Sequence, residues 1–227
     1  MYVSWPCPLP DGHSGEESAL RFDADGANRV LILPALFDEA NKMRHMTVEI
    51  MRRLGAAGIG SVLPDLPGCN ESSVPMEQQS LASWRAATQA AADHFEATHV
   101  LAIRGGALIA PSNLPGWAYA PAKAQGILRA LVRSRVVAAR EAGRNETSDA
   151  LMDQARVRGI ELAGWQLGAA LVQELEADNS LGNSRHDVIT AEMAGGSPLW
   201  LRAEPGFDAE QADALAAYVI THIGAAV

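Results

Sequence analysis

Two cysteines, two lysines and 5% aromatic residues among 227 positions limit what this chain can be. Cys7 and Cys69 give neither the close spacing of a metal site nor a disulfide framework, so no metal centre and no cofactor chemistry is expected from them. Lys42 and Lys123 are the only lysines, and 27 acidic residues outnumber 18 basic ones for a net charge of −9. That balance excludes a general binder of nucleic-acid phosphates. No apolar run approaches the ~18 residues of a membrane-spanning helix. The opening M-Y-V-S-W-P-C-P-L-P-D-G lacks the basic stretch and apolar core of a secretion signal. The expectation is a cytoplasmic protein with no membrane insertion and no nucleic-acid partner.

What is present is a globular composition, 48% hydrophobic, at a length suited to one domain over residues 1–227. Residues 19–24 and 29–34 flank D-G-A-N and read as a hairpin. Met43, Met46, Ile50 and Leu54 recur at helical spacing before Gly58, and G-S-V-L-P-D at 60–65 reads as a short buried strand. A helix over about 80–96 leads into a strand at 99–104, and 115–121 suggests another. Helices are expected at 123–142 and 147–177, and strands at 187–193 and 198–204. A last helix carries Ala212, Leu215, Ala216, Val219, Ile220 and Ile223 on one face. Alternating strands and helices imply an α/β fold: a mostly parallel sheet with helices on both faces, its site at the carboxyl ends of the strands.

Three loops then meet at that edge. The third, T-H-V-L-A-I-R-G-G-A-L-I-A at 98–110, has the form of the nucleophile elbow of α/β-hydrolases, G-x-S-x-G, with Arg104 where the serine would stand. Arginine stays protonated and is neither nucleophile nor base, but its planar fork clamps a carboxylate or phosphate. The alternative is that Arg104 is consumed by an internal acid, Glu39 or Glu161. The first loop, 34–46, gathers Asp38, Glu39, Asn41, Lys42 and Arg44, where acids also complement a helix start. The second, 64–72, offers Cys69 and Ser72 as nucleophiles, although no base is visible beside either and a tight turn is the plainer reading. The loop expected to follow the last strand, E-P-G-F-D-A-E at 204–210, holds no histidine. His186 precedes a strand, and His222 lies far along the final helix. Without serine and histidine in these places, standard acyl transfer is not expected.

Four segments together resemble one family, the exosortase A system-associated hydrolase 2 proteins of Gram-negative bacteria. They are P-A-L-F-D-E-A-N-K-M-R-H-M (34–46), D-L-P-G-C-N-E-S (65–72), L-A-I-R-G-G-A-L-I-A (101–110) and I-E-L-A-G-W-Q-L-G-A-A-L (160–171). The resemblance implies an α/β-hydrolase-like fold, arginine at the elbow, and an association with genes for exopolysaccharide production and protein sorting. The chain departs from the family pattern at Gly105 and Trp165, where a larger apolar residue and a tyrosine are expected. The resulting expectation is a protein without a Ser-His triad that binds an anionic or saccharide ligand through Arg104, Gly105, Gly106, Glu39, Asn41, Lys42 and Arg44. Two alternatives stay open: a hydrolase that uses Cys69 or Ser72, and an assembly partner that forms a homodimer through its helical middle.

Overall fold

The computed structural model describes residues 1–224. In chain order the elements are β1 (Tyr2–Pro8), β2 (Ser14–Phe22), β3 (Arg29–Leu33), α1 (Asp38–Ala56), β4 (Gly60–Pro64), α2 (Leu81–His94), β5 (His99–Ile103), β6 (Gly116–Tyr119), α3 (Ala124–Glu141) and α4 (Ser148–Arg158). They continue with β7 (Ile160–Leu162), β8 (Trp165–Leu167), α5 (Ala169–Ala177), β9 (Asp187–Ile189), α6 (Ala191–Ala194) and α7 (Ala209–His222). Seven strands form one sheet in the order β1-β2-β4-β3-β5-β6-β9, and β7 and β8 pair separately. β2 runs antiparallel to both of its neighbours, and all pairs from β4 to β9 are parallel.

The central strands read as unbroken apolar runs because both of their faces are covered. Their period of two sorts the side chains between two cores. Leu31, Leu33, Val100 and Ala102 face α2, α3 and α5, whereas Val30, Ile32, Leu101 and Ile103 face α1 and α7. α1 turns Met43, Met46, Ile50, Met51 and Leu54 into the second core. Each such side chain, fully buried, contributes about 1.5–3 kcal/mol. α2 starts on a reciprocal Ser80–Ser83 capping box, and Asp208 caps α7 by accepting from the Gln211 backbone N–H.

Four sequence expectations change. Segments 19–24 and 29–34 do not form a hairpin: β2 pairs with β1 and β4, and β3 lies between β4 and β5. The hairpin is β1–β2, whose turn uses residues 9–13. The stretch 147–177 is not one helix, because α4 ends at Gly159 (φ 70°) and the β7–β8 hairpin intervenes before α5. That hairpin turns on Ala163 (φ 51°) and Gly164 (φ 82°), the left-handed pair a two-residue turn requires. Segment 187–193 is a three-residue strand followed by α6. Segment 198–204 is not a strand: Leu199–Leu201 form a 3₁₀ turn with Leu199 buried and Leu201 exposed. The sheet beyond β5 is instead completed by β6 and β9.

Candidate functional site

Because β3, β4 and β5 are parallel, the loops that follow them converge at one edge of the sheet. The loop after β3 enters α1 through Phe37, whose φ of 58° is costly for a residue with a Cβ. After β5 the chain turns at Arg104, which has φ 53°, the sharp backbone an elbow needs. Gly106 is required here, because a Cβ on it would lie 2.5 Å from the Pro34 carbonyl oxygen and 2.7 Å from that of Leu33. At Gly105 a Cβ would lie 2.8 Å from Ile127 and 2.9 Å from Leu36. The β3 loop is thus pressed onto the elbow, and the glycines serve close approach rather than an open anion cradle. The elbow leads into a 3₁₀ segment, Arg104–Ile109, not an α-helix, so it presents no α-helical N-terminus to the site.

The guanidinium of Arg104 is held on three sides. Its Nε and Nη2 donate to the two carboxylate oxygens of Glu39 at 3.0 and 3.1 Å, and Nη1 donates to the Ala120 carbonyl at 2.7 Å. Its Cζ lies 4.2 Å from the centroid of the Trp200 ring, a cation–π contact. Both ionic side chains are mostly buried, 16% and 20% exposed. Glu161, the other candidate partner, lies exposed on β7, where its carboxylate accepts from Gln166. The Tyr119 hydroxyl, buried next to this pair, stays protonated: burial, followed by the charge of Asp208, pushes it up to about 12 against the pull of Arg104.

The other expected residues separate. Lys42 turns back to Asp38 at 2.9 Å, one turn away on α1. Asn41 and Arg44 instead line a cavity of about 90 Å³ on the other side of the β3 loop, with Leu36, Phe37, Trp84 and Trp165 among its walls. Arg44 donates to the Tyr2 hydroxyl at 3.3 Å and lies 3.8 Å from Asp65. Asp65 also accepts from Asn70, whose loop forms another part of the cavity wall. The structure therefore brings Arg104, Glu39, Gly105 and Gly106 together, and Asn41 with Arg44, but of these only Asn41 and Arg44 line the cavity. Reading the sequence alone missed Trp200, Asn70, Trp84 and Asp65. The aromatics carry no spacing signal, and Trp200 lies in a segment whose residue types are those of a strand.

Neither alternative nucleophile is activated in the usual way. Burial, then the charges of Asp65 and Glu17, push the Cys69 thiol up to about 12, so it is not a thiolate. Ser72 does have a base within reach, donating to Glu17 Oε1 at 2.6 Å. Its oxygen also accepts from the backbone N–H groups of Gly68 and Val74 at 2.9 and 3.2 Å, which fixes it as the pin of a turn. His186 lies at the amino edge of the sheet, where it contacts the Leu114 carbonyl, and burial lowers its pKa. His222 lies exposed near the far end of α7, stacked on Tyr218.

Two solved proteins share this fold. Alpha/beta hydrolase domain-containing protein 10 from mouse superposes with a TM-score of 0.57 at 11% identity, covering 99% of each chain. A candidate hydrolase from Agrobacterium vitis S4 gives 0.55 at 14% identity over 78% of this chain and 71% of its own. This is the α/β-hydrolase fold. Identities this low carry the architecture of the α/β-hydrolases and not a reaction. No protein-family model matches the chain, and no curated protein is significantly similar to it in sequence. Among the described residues, no helix is long and apolar enough to cross a membrane, and no group of three or more His, Cys, Asp or Glu could hold a metal ion.

Proposed function

We propose that this α/β-hydrolase-fold protein binds a small anionic or sugar-bearing ligand and does not carry out serine-based acyl transfer. One observation carries the reading: the nucleophile's position holds an arginine spent on Glu39, Ala120 and Trp200, while a cavity beside it stays open. Asn41 and Arg44 are the ligand-facing members of the site. Arg104, Glu39, Gly105 and Gly106 brace the β3 loop behind the cavity, and Lys42 steadies the first turns of α1. Segments 34–46, 65–72, 101–110 and 160–171 support a place beside exopolysaccharide or protein-sorting systems, through their resemblance to the exosortase-associated proteins.

A second reading, a hydrolase using Ser72, draws on the 2.6 Å contact with Glu17. One assay separates the two. Treatment with a fluorophosphonate is expected to leave Ser72 unlabelled. Stoichiometric labelling that disappears in Ser72→Ala would favour the hydrolase. The dimer reading has less to draw on: among the described residues, α3 and α4 expose Val137 and Val157 as their large apolar side chains.

A further inference from the structure

The cavity has a chemical polarity that narrows its occupant, and the inference rests on the binding reading above. Its walls are aliphatic and aromatic side chains, Leu36, Phe37, Leu63, Leu66, Trp84 and Trp165, and its polar side chains are few. Thr47 is one of them, and its hydroxyl already donates to the Met43 carbonyl at 2.9 Å. The Trp84 indole N–H is likewise spent, donating to the Pro67 carbonyl at 2.9 Å. Donors remain on Asn41, on Arg44 beyond its contact with Tyr2, and on the second amide N–H of Asn70, whose first is given to Asp65. Arg44 and Asn70 also line a wider groove of about 530 Å³ with Tyr2, Ser18, Asp65 and Glu71, so they form the partition between cavity and groove.

A hydroxylated sugar ring inside the cavity would give up hydrogen bonds to water at several positions and regain few, which costs more than its burial returns. A short apolar body loses nothing there. The 90 Å³ is smaller than the ~150 Å³ of a dry cavity that accepts benzene, so it fits a chain of three or four carbons or the edge of one ring. At the partition, the Arg44 guanidinium has five donors, and the Tyr2 hydroxyl takes one of them. Asp65, at 3.8 Å, lies beyond hydrogen-bond range of Arg44. The same Asp65, with Glu71 beside it, repels a second negative charge, which disfavours a phosphate dianion over a monoanion.

We infer that the cavity binds the apolar end of a small monocarboxylate, with the carboxylate on Arg44 and the amides of Asn41 and Asn70. The test uses the whole chain labelled with ¹⁵N, following the indole N–H signals of Trp84 and Trp165. Sodium butyrate and sodium benzoate are the probes, and methyl glucoside and inorganic phosphate are the comparisons. The expected result is saturable movement of both indole signals with butyrate or benzoate, a loss of affinity of tenfold or more in Arg44→Gln, and unchanged affinity in Arg133→Gln, an exposed arginine on α3 far from the cavity lining. Because the wild-type titration needs no variant, a poorly folded Arg44→Gln would not mask a negative result. Saturation by methyl glucoside or phosphate but not by the carboxylates would overturn this assignment and leave the binding reading standing. Affinity for benzoate that Arg44→Gln leaves unchanged would also overturn it. Indole signals that none of the four compounds moves would overturn the carboxylate assignment and the binding reading together.

Discussion

At the scale of single residues, Arg104 decides how the elbow behaves. Its forked contact with Glu39 is mostly buried, so removing the cation strands a carboxylate. Arg104→Ala is expected to cost about 1–3 kcal/mol in chemical denaturation. Combined with Glu39→Gln it should cost clearly less than the two changes summed, and additive losses would mean the pair is not coupled. Glu17 poses the opposite problem. Burial raises its pKa, the Ser72 hydrogen bond opposes that rise, and the charge of Asp65 adds to it. A carboxyl with a raised folded pKa binds its proton more tightly in the native state, so its ionisation destabilises the fold as pH rises. The stability difference between Glu17→Gln and wild type should therefore grow in the variant's favour from about pH 4.3, the unfolded value, and level off above the raised folded value. A difference that shrinks over that window would contradict the assignment. Of these two residues, the sequence pointed to one only. The Arg104–Glu39 pair could be named as one of two options, because loops that follow parallel strands must meet. Glu17 gave no signal, because the residues it touches are 55 positions away at Ser72.

At the scale of elements, the β7–β8 hairpin shows where periodicity misleads. I-E-L-A-G-W-Q-L lies between two true helices, and its Ala-Gly turn is less recognisable than Asn-Gly, so the whole stretch passes for one helix. The error matters because Trp165 reaches the cavity from this hairpin and meets Phe37 edge-on, with ring centroids 5.8 Å apart. Gly164→Val places a β-branched residue at φ 82° and should cost about 1–3 kcal/mol locally. Hydrogen exchange is expected to quicken at 160–167 while the amides of β3 and β5 keep their protection. Uniform quickening would show that the hairpin is no separate unit. The 3₁₀ turn at Leu199–Leu201 is a similar lesson. P-L-W-L-R-A-E has the residues of a strand, but Leu199 is buried, Trp200 reaches Arg104, and the segment pairs with no neighbour in the sheet.

At the scale of the molecule, the fold was readable and the site was divided. β3, β4 and β5 announced themselves because double burial forces near-continuous apolar runs, and α1 and α7 because each must turn one stripe inward. Strand order was less accessible, since a pairing such as β2 with β4 skips over β3 and leaves no local trace. The same limit applied to the candidate ligands. Seven residues sharing one edge of a sheet looked like one site, yet a single loop, Pro34–Phe37, separates Arg104 from Arg44. Sequence spacing reports which end of the sheet a residue occupies. Which side of a loop it faces depends on packing across the chain.

The way Arg104 is held also bears on how this protein could change. A serine put in its place would inherit a mostly buried Glu39 with no cation beside it, and an indole ring at Trp200 standing over the elbow. The loop before α7 would still end in a capping Asp208 and would still lack an imidazole. Replacing Arg104, a necessary step on a path to Ser-His chemistry, thus lowers stability before it adds a function. Epistasis, more than distance in sequence, separates this elbow from a hydrolytic one.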